Sequence, residues 1–366
     1  MGAFRVRIDA WDRSYKGVKV EIHRSWVVVG LDNGATSNNV TVLDASGHYL
    51  VDALLESPSR VELGPDEAML ALGKAFDRAL EVSGIDRSSV RAVGLDTPGP
   101  ASADGVISSK GSTNFSQTAW HGFDVRGALE GHLGIPVVYN NDGNAAALYA
   151  HHVYFGHEAA RRSSVSAIVG TGLGGGVIES GRVVRGAAGM GGELGHVHIP
   201  MEGLLSEGQQ RPVCNCGFVG DAESVASLTG IERNLLPYWL GRFPDHALAH
   251  ERSMADAAKR VRDYGDRSDP LALAIFAQQA AALGRLFTIA ANFFDPDAYF
   301  LGGGVVEASE QFRQWFLGQV REHTTLRQEQ LKVTAFALIA DLDMAGARGA
   351  ALAALDSISV AERSRG

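Results

Sequence analysis

Cysteine is almost missing: Cys214 and Cys216 are the only two, one residue apart. That spacing is poor geometry for a mutual disulfide, so a disulfide-stapled fold is excluded, and metal ligation or inert turn thiols remain. No apolar stretch approaches bilayer-spanning length, and the first 17 residues lack the apolar core of a signal peptide, so no membrane is expected and the location is read as cytoplasmic. Basic charge is in deficit, 33 Lys and Arg against 42 Asp and Glu, which argues against nucleic acid as a partner. Low-complexity linkers, short tandem repeats and coiled-coil heptads are absent. So is a Walker A loop, since Gly73-Lys74 is followed by Ala75 within a helical pattern; the P-loop class is excluded.

Glycine is abundant, and a hydrophobic content of 45% over 366 residues can furnish two cores with a cleft between them. The richest stretch is Gly170 to His196. The apolar run Val165 to Val169 reads as a strand, and the following glycines let backbone N–H groups approach an anion. Gly170, Gly172 and Gly175 also match the dinucleotide fingerprint, but that loop must open a helix. Here Val177-Ile178, a turn at Glu179-Ser180-Gly181 and Arg182-Val183-Val184 predict a hairpin instead. A phosphate-binding turn between two strands is the expectation, with dinucleotide binding a minor alternative.

Elsewhere the pattern is α/β. Phe4 to Ala10 and Val18 to Ile22 read as a hairpin or flexible extension. Strands are predicted at Trp26 to Leu31, Val40 to Leu43, Val90 to Leu95, Pro136 to Tyr139, Tyr299 to Leu301 and Val333 to Ile339. Helices are predicted at Pro65 to Ser83, where Leu70, Leu72, Phe76 and Leu80 recur, at Val125 to Leu133, Gly143 to His151, Ala277 to Phe294 and Ala345 to Leu355. A helical region with interruptions is expected from Asp221 to Leu283. The strand–turn–strand units at 26–43 and 165–184 suggest an internal duplication, as two similar lobes would require. Asp142, before an Ala-rich helix, reads equally as an N-cap or as a carboxylate at a strand end.

Seven motifs in order then carry a family resemblance over Trp26 to Leu355: Asp32-x-Gly34-x-Thr36, Thr97-Pro98-Gly99-Pro100, Asn141-Asp142-x-Asn144-Ala145-Ala146, Gly170-Thr171-Gly172-x-Gly174-Gly175-Gly176, Glu193-x-Gly195-His196, Cys214-x-Cys216-Gly217-x-x-Gly220 and Gly302-Gly303-Gly304. The chain resembles the ROK sugar kinases of the actin-like ATPase superfamily. The resemblance implies an α/β fold of two actin-like (ribonuclease H-like) lobes with an inter-lobe nucleotide and sugar cleft. The lobes are placed at 26–136 and 137–344, after an extension at 1–25. A C-terminal helix and tail at 345–366 pack back on the first lobe.

It further implies ATP-dependent phosphorylation of a hexose at its primary (6-) hydroxyl, glucose foremost, with Asp142 as general base. Asn114, Asn141, Glu193, His196 and Glu223 would join Asp142 in binding the sugar. Asp32, Gly34 and Thr36 would face the phosphates from the first lobe, Asp32 holding Mg2+ through water. Gly170, Thr171, Gly172 and Gly174 would hold phosphates from the second lobe, and Gly302, Gly303 and Gly304 the adenine–ribose half. His196, Cys214 and Cys216 are the implied Zn2+ ligands. The family's third cysteine is replaced by Asp221, which could complete the tetrahedron as a structural site. Two other departures are Ala35, where a second Gly is usual, and an insert around Met201 to Arg211. A homodimer is a family-level expectation. The same family contains repressors, but the 25 residues before Trp26 are too few and too strand-like for a DNA-reading module. A catalytically silent sugar-binding homologue is disfavoured because Asp142, Asp32 and the glycine cradle are intact.

Overall fold

The computed structural model describes residues 26–99, 101–109, 115, 117–339 and 342–363. The hairpin read at the amino terminus and the sugar contact assigned to Asn114 lie outside the described residues. The first sheet contains β1 (Val27–Asn33), β2 (Ser37–Asp44), β3 (Leu55–Pro58), β4 (Val90–Thr97) and β5 (Val137–Asn141), in the order β3-β2-β1-β4-β5. The second contains β6 (Ser164–Val169), β7 (Leu173–Glu179), β8 (Arg182–Val183), β9 (Ala298–Gly303) and β10 (Ala335–Leu338), in the order β10-β9-β6-β7-β8. In each, an antiparallel meander of three strands is extended by two strands parallel to its first. The duplication suggested by two short units therefore extends to whole sheets.

Strand period two sorts the side chains into layers. Val27, Val29 and Leu31 of β1 join the core under α1 (Pro65–Ser83) and α2 (Val125–Leu133), while Val28 faces the core formed with α3 (Asp142–Phe155) and the carboxy-terminal helix. Both outer helices are punctuated as the sequence suggests. Pro65 opens α1 and Gly84 closes it in a left-handed conformation, and the Asp124 side chain caps α2. Leu72, Phe76 and Leu80 are buried as expected, whereas Leu70 faces out.

The second sheet is covered by a helical region: α4 (Glu223–Ala226), α5 (Leu228–Gly230), α6 (Leu236–Arg242), α7 (Met254–Gly265) and α8 (Pro270–Phe294). Then come α9 (Glu310–Glu322), α10 (Gln328–Leu331) and α11 (Ala345–Arg363). Two sequence expectations need correction. The first sheet runs through β5, which pairs in parallel with β4, so a lobe boundary at 136/137 divides hydrogen-bonded neighbours. In addition, α8 is long and apolar enough to cross a membrane by length and composition alone. Two-thirds of its apolar window is buried in the second core, where Leu283, Leu286 and Phe287 pack.

The helices α3 and α11 lie between the sheets, α11 against β1 and β4, and α3 against β7. Small residues permit this. A Cβ placed on Gly94 would stand 1.9 Å from the Ala350 carbonyl oxygen, and one on Gly349 would stand 1.9 Å from that of Ala145. Backbone cannot yield as a side-chain tip can. Gly94→Val is therefore expected to cost about 3 kcal/mol, at the upper end of overpacking penalties. Calorimetry should show a melting temperature lower by at least about 5 °C; an unchanged value would mean that α11 slides freely on the sheet.

Candidate active site

Because β1, β4 and β5 are parallel, their carboxyl ends present Asp32, Asp96 with Thr97, and Asn141 along one edge. Ligands collect at such edges in α/β folds. Asn141 caps α3: its Oδ1 accepts from the Asn144 N–H at 2.8 Å, and its Nδ2 donates to Glu193 Oε1 at 3.0 Å. The N-cap reading of Asp142 is thus displaced by one residue. Asp142 occupies the first helical position, exposed to the cleft, with Oδ1 accepting from the Gly143 N–H at 2.7 Å. Crowding by the cleft walls, reinforced by the charges of Asp32 and Glu193, pushes its carboxyl up to about 6. Burial also raises Asp32, against the opposing effect of the Asn39 amide, which donates to its Oδ2 at 3.1 Å.

The first turn exposes Ala35 and Thr36 and is closed by the Gly34 N–H donating to Ser37 O at 2.9 Å. Ala35 is absent from the positive-φ residues, so its methyl group is accommodated without strain. On the second lobe Gly170-Thr171-Gly172 forms the tip of the β6–β7 hairpin. The carbonyls of Gly170 and Thr171 are anchored by the N–H groups of Leu228 and Thr229 at 3.0 and 3.1 Å. The hairpin disposes of the dinucleotide loop, since a strand follows the glycines. The remaining glycines divide by purpose. Gly174 is exposed on the hairpin, but Gly175 and Gly176 serve packing: added Cβ atoms would meet Ser166 O at 2.0 Å and Asn144 Oδ1 at 2.8 Å. Gly302 and Gly303 end β9, and Gly303 is held at φ +86° against Val169, as a tight turn requires. Gly304 is the open member of that triplet.

Glu223, the first residue of α4, joins three parts of the site. Its Oε2 accepts from the Leu173 N–H at 2.8 Å, and its Oε1 accepts from the Cys214 thiol at 3.1 Å. Beyond Cys214 a turn closed by the Gly217 N–H on Cys214 O at 3.0 Å brings Cys216 back towards His196. One donor atom from each of His196, Cys214, Cys216 and Asp221 lies within 4.8 Å of the others. The spacings are 3.3 Å for His196 Nδ1 to Asp221 Oδ2, and 4.0 and 3.7 Å from Nδ1 to the sulfurs of Cys214 and Cys216. Tetrahedral zinc with bonds of about 2.0 Å to nitrogen and about 2.3 Å to sulfur asks for edges of about 3.3 to 3.8 Å, so the donor set fits with small adjustments. The Asp221 carboxylate also holds the His196 proton, raising the imidazole to about 9; a metal ion and that proton compete for Nδ1. The insert is packed: Met201 and Leu204 are buried, and Gln278 Nε2 donates to Leu204 O at 3.1 Å and Gln209 Oε1 at 2.6 Å.

One cleft residue received no role from the sequence. Asp96 is wholly buried at the end of β4, its carboxyl raised well above the usual range by burial first, then by Asp32 and Asp142. Its place at the carboxyl end of a buried strand, where ligands collect in α/β folds, is the sequence signal that could have found it.

The ROK family profile matches residues 28–357. The glucokinase of Thermotoga maritima is 31% identical over 286 residues, covering 77% of this chain and 83% of that protein. Among solved structures, the ROK hexokinase of Thermus thermophilus superposes with a TM-score of 0.70 at 31% identity, covering 91% of this chain and 99% of that one. The ROK family glucokinase of Streptomyces griseus, solved with glucose and AMPPNP, gives 0.64 at 27% identity, with 90% and 99% covered. Two duplicated sheets, each with a glycine-bearing turn after its first strand, and a carboxylate at the start of α3 agree with these matches: the chain belongs to the ROK family and is an ATP-dependent sugar kinase of the two-lobe actin-like fold.

Proposed function

We propose that this kinase transfers the γ-phosphoryl group of ATP to the primary (6-) hydroxyl of a hexose, glucose foremost, with Asp142 taking the hydroxyl proton. The observation that carries the reading is Asp142 itself. It is a carboxylate exposed to the cleft at the start of α3, beside Asn141 and Glu193, and tuned to about 6. Phosphoryl transfer leaves the protein little covalent work beyond positioning, charge neutralisation and removal of the acceptor's proton. A base near 6 is ionised at neutral pH yet basic enough to accept a proton as the oxygen–phosphorus bond forms. Glucose is favoured over other hexoses by the likeness to a glucokinase solved with glucose.

Asn141, Glu193, His196 and Glu223 would present directional hydrogen-bonding groups to the sugar hydroxyls, which offer little apolar area. The bond from Asn141 Nδ2 holds Glu193 in place for that task. Thr36, Gly34 and the Gly170–Gly172 tip, with Gly174, would meet the phosphates, and Gly304 the ribose side. Asp32 would hold the Mg2+ that accompanies ATP, whose chemistry is neutralisation of phosphate charge. His196, Cys214, Cys216 and Asp221 would hold a structural Zn2+. With Nδ1 committed there, Nε2 is left for the substrate.

Coupled ADP release should be assayed across glucose, mannose, fructose, allose, N-acetylglucosamine and N-acetylmannosamine. The fastest rate is expected with glucose; a faster N-acetyl hexosamine would replace the substrate and keep the base. The pH profile carries a sign. Because the carboxyl of Asp142 is raised, activity is full above its pKa and falls as pH drops through about 6. An acid limb in kcat/KM near pH 6, shifted or lost in Asp142→Glu, is the expected result. A flat profile down to pH 5 would remove Asp142 as the base.

A further inference from the structure

Asp96 lies in register with Asp32 on the neighbouring strand. Its side chain is fully buried, and neither carboxylate oxygen has a hydrogen-bond partner among the described residues. Buried polar atoms are rarely left so, and an orphaned carboxyl group calls for a partner that arrives with a ligand. Gly346, in the first turn of α11, brings the two acids together: a Cβ built there would stand 2.8 Å from Asp32 Oδ2 and 2.9 Å from Asp96 Oδ2, so both oxygens lie against the same stretch of helix backbone and close to one another. Asp142, whose charge also acts on Asp96, borders the same region. Three acidic side chains beside turns that receive phosphates would repel both one another and the nucleotide, and a bound cation reverses that sign.

We propose that Asp96 is a second cation-positioning carboxylate of this kinase, acting with Asp32 to hold the hydrated Mg2+ that accompanies ATP. The inference rests on the kinase reading but adds a residue to it. Mg2+ keeps several waters and is bound through one or two carboxylates, so an acceptor-only group with two free oxygens suits its hydration shell. The donor set is carboxylate alone, which selects a hard divalent cation over the softer ion of the cysteine cluster. Gly346 lets α11 pack on the pair, since any side chain there would strike both acids.

Mn2+ serves as the paramagnetic probe, with free ion read by electron paramagnetic resonance in titrations of the full chain plus ADP. Asp96→Asn is expected to weaken Mn2+ binding about tenfold, in the range seen when groups that orient a metal are removed. It should raise the Mg2+ concentration for half-maximal rate by a similar factor and leave glucose affinity unchanged. Asp96→Ala should do the same, separating loss of charge from the geometry of the amide. Mn2+ affinity within about twofold of the parent in either folded variant would overturn the proposal. So would failure of both variants to fold, which would make Asp96 a structural residue. If the parent protein turns over no sugar with MgATP, the kinase reading itself fails; turnover with unaltered Mn2+ binding sinks this inference alone.

Discussion

Asp142→Asn is expected to fold, to bind hexose within about threefold of the parent, and to lose at least about a thousandfold in kcat. The substitution is isosteric, and the amide oxygen can still accept from the Gly143 N–H that holds the carboxylate at 2.7 Å. The start of α3 is secured by Asn141, not by Asp142, so the helix loses no cap. What disappears is the ability to take a proton from the acceptor hydroxyl as it attacks phosphorus. Binding by calorimetry and turnover by ADP release should therefore separate. A loss of about a hundredfold in hexose affinity would make Asp142 a substrate anchor, and a fall in kcat below about tenfold would assign the proton to another group.

That separation could not have been argued from the sequence, where Asp142 reads equally as cap and as base. Deciding between them required knowing which of two adjacent residues turns its side chain back onto the helix. Local signals were legible wherever local chemistry decides. Pro65 and Gly84 bound α1, Asp124 and Gly134 bound α2, and the turn at Glu179 to Gly181 told a hairpin from a nucleotide-binding helix. Signals that depend on distant partners were not. The membership of β5 in the first sheet is a pairing with β4, and nothing within Val137–Asn141 announces it. The glycines of 170–176 look alike in sequence, yet Gly170 faces open space, Gly172 abuts the Glu223 carboxylate, and Gly175 and Gly176 make room for β6 and α3. Asp96 acquires its character from Asp32, from Asp142 and from Gly346, some 250 residues away in the chain. The apolar length of α8 marks a core helix because the surrounding helices bury it.

Asp221→Ala is expected to lower zinc from about one ion per chain to near zero and to destabilise the second lobe by about 3 kcal/mol or more, the cost of breaking a buried ionic pair. Asp221 has no solvent exposure. One oxygen accepts from the Ser224 N–H at 2.9 Å, and the other stands 3.3 Å from His196 Nδ1 and 3.9 Å from the sulfur of Cys216. Burial alone would raise its carboxyl, but the bonds from His196 and Ser224 prevail and hold it below the usual range. That lowering stabilises the fold above the ordinary carboxylate pKa and is lost as pH falls through the depressed value. Ligand and helix-start roles are thus superposed in one side chain, and alanine removes both. Asp221→Cys separates them: a thiolate restores a fourth metal ligand but not the acceptor for Ser224. Elemental analysis should find zinc regained in the cysteine variant with only part of the stability. A chelator should lower the melting temperature of the parent and of Asp221→Cys, while doing nothing further to Asp221→Ala. Unchanged zinc in Asp221→Ala would remove the carboxylate from the metal site. A parent chain free of zinc after growth with added metal would leave the His196–Asp221 pair as the bond that closes the cluster. In that case Asp221→Cys should destabilise as much as Asp221→Ala, because a neutral thiol replaces neither the charge beside His196 nor the acceptor for Ser224.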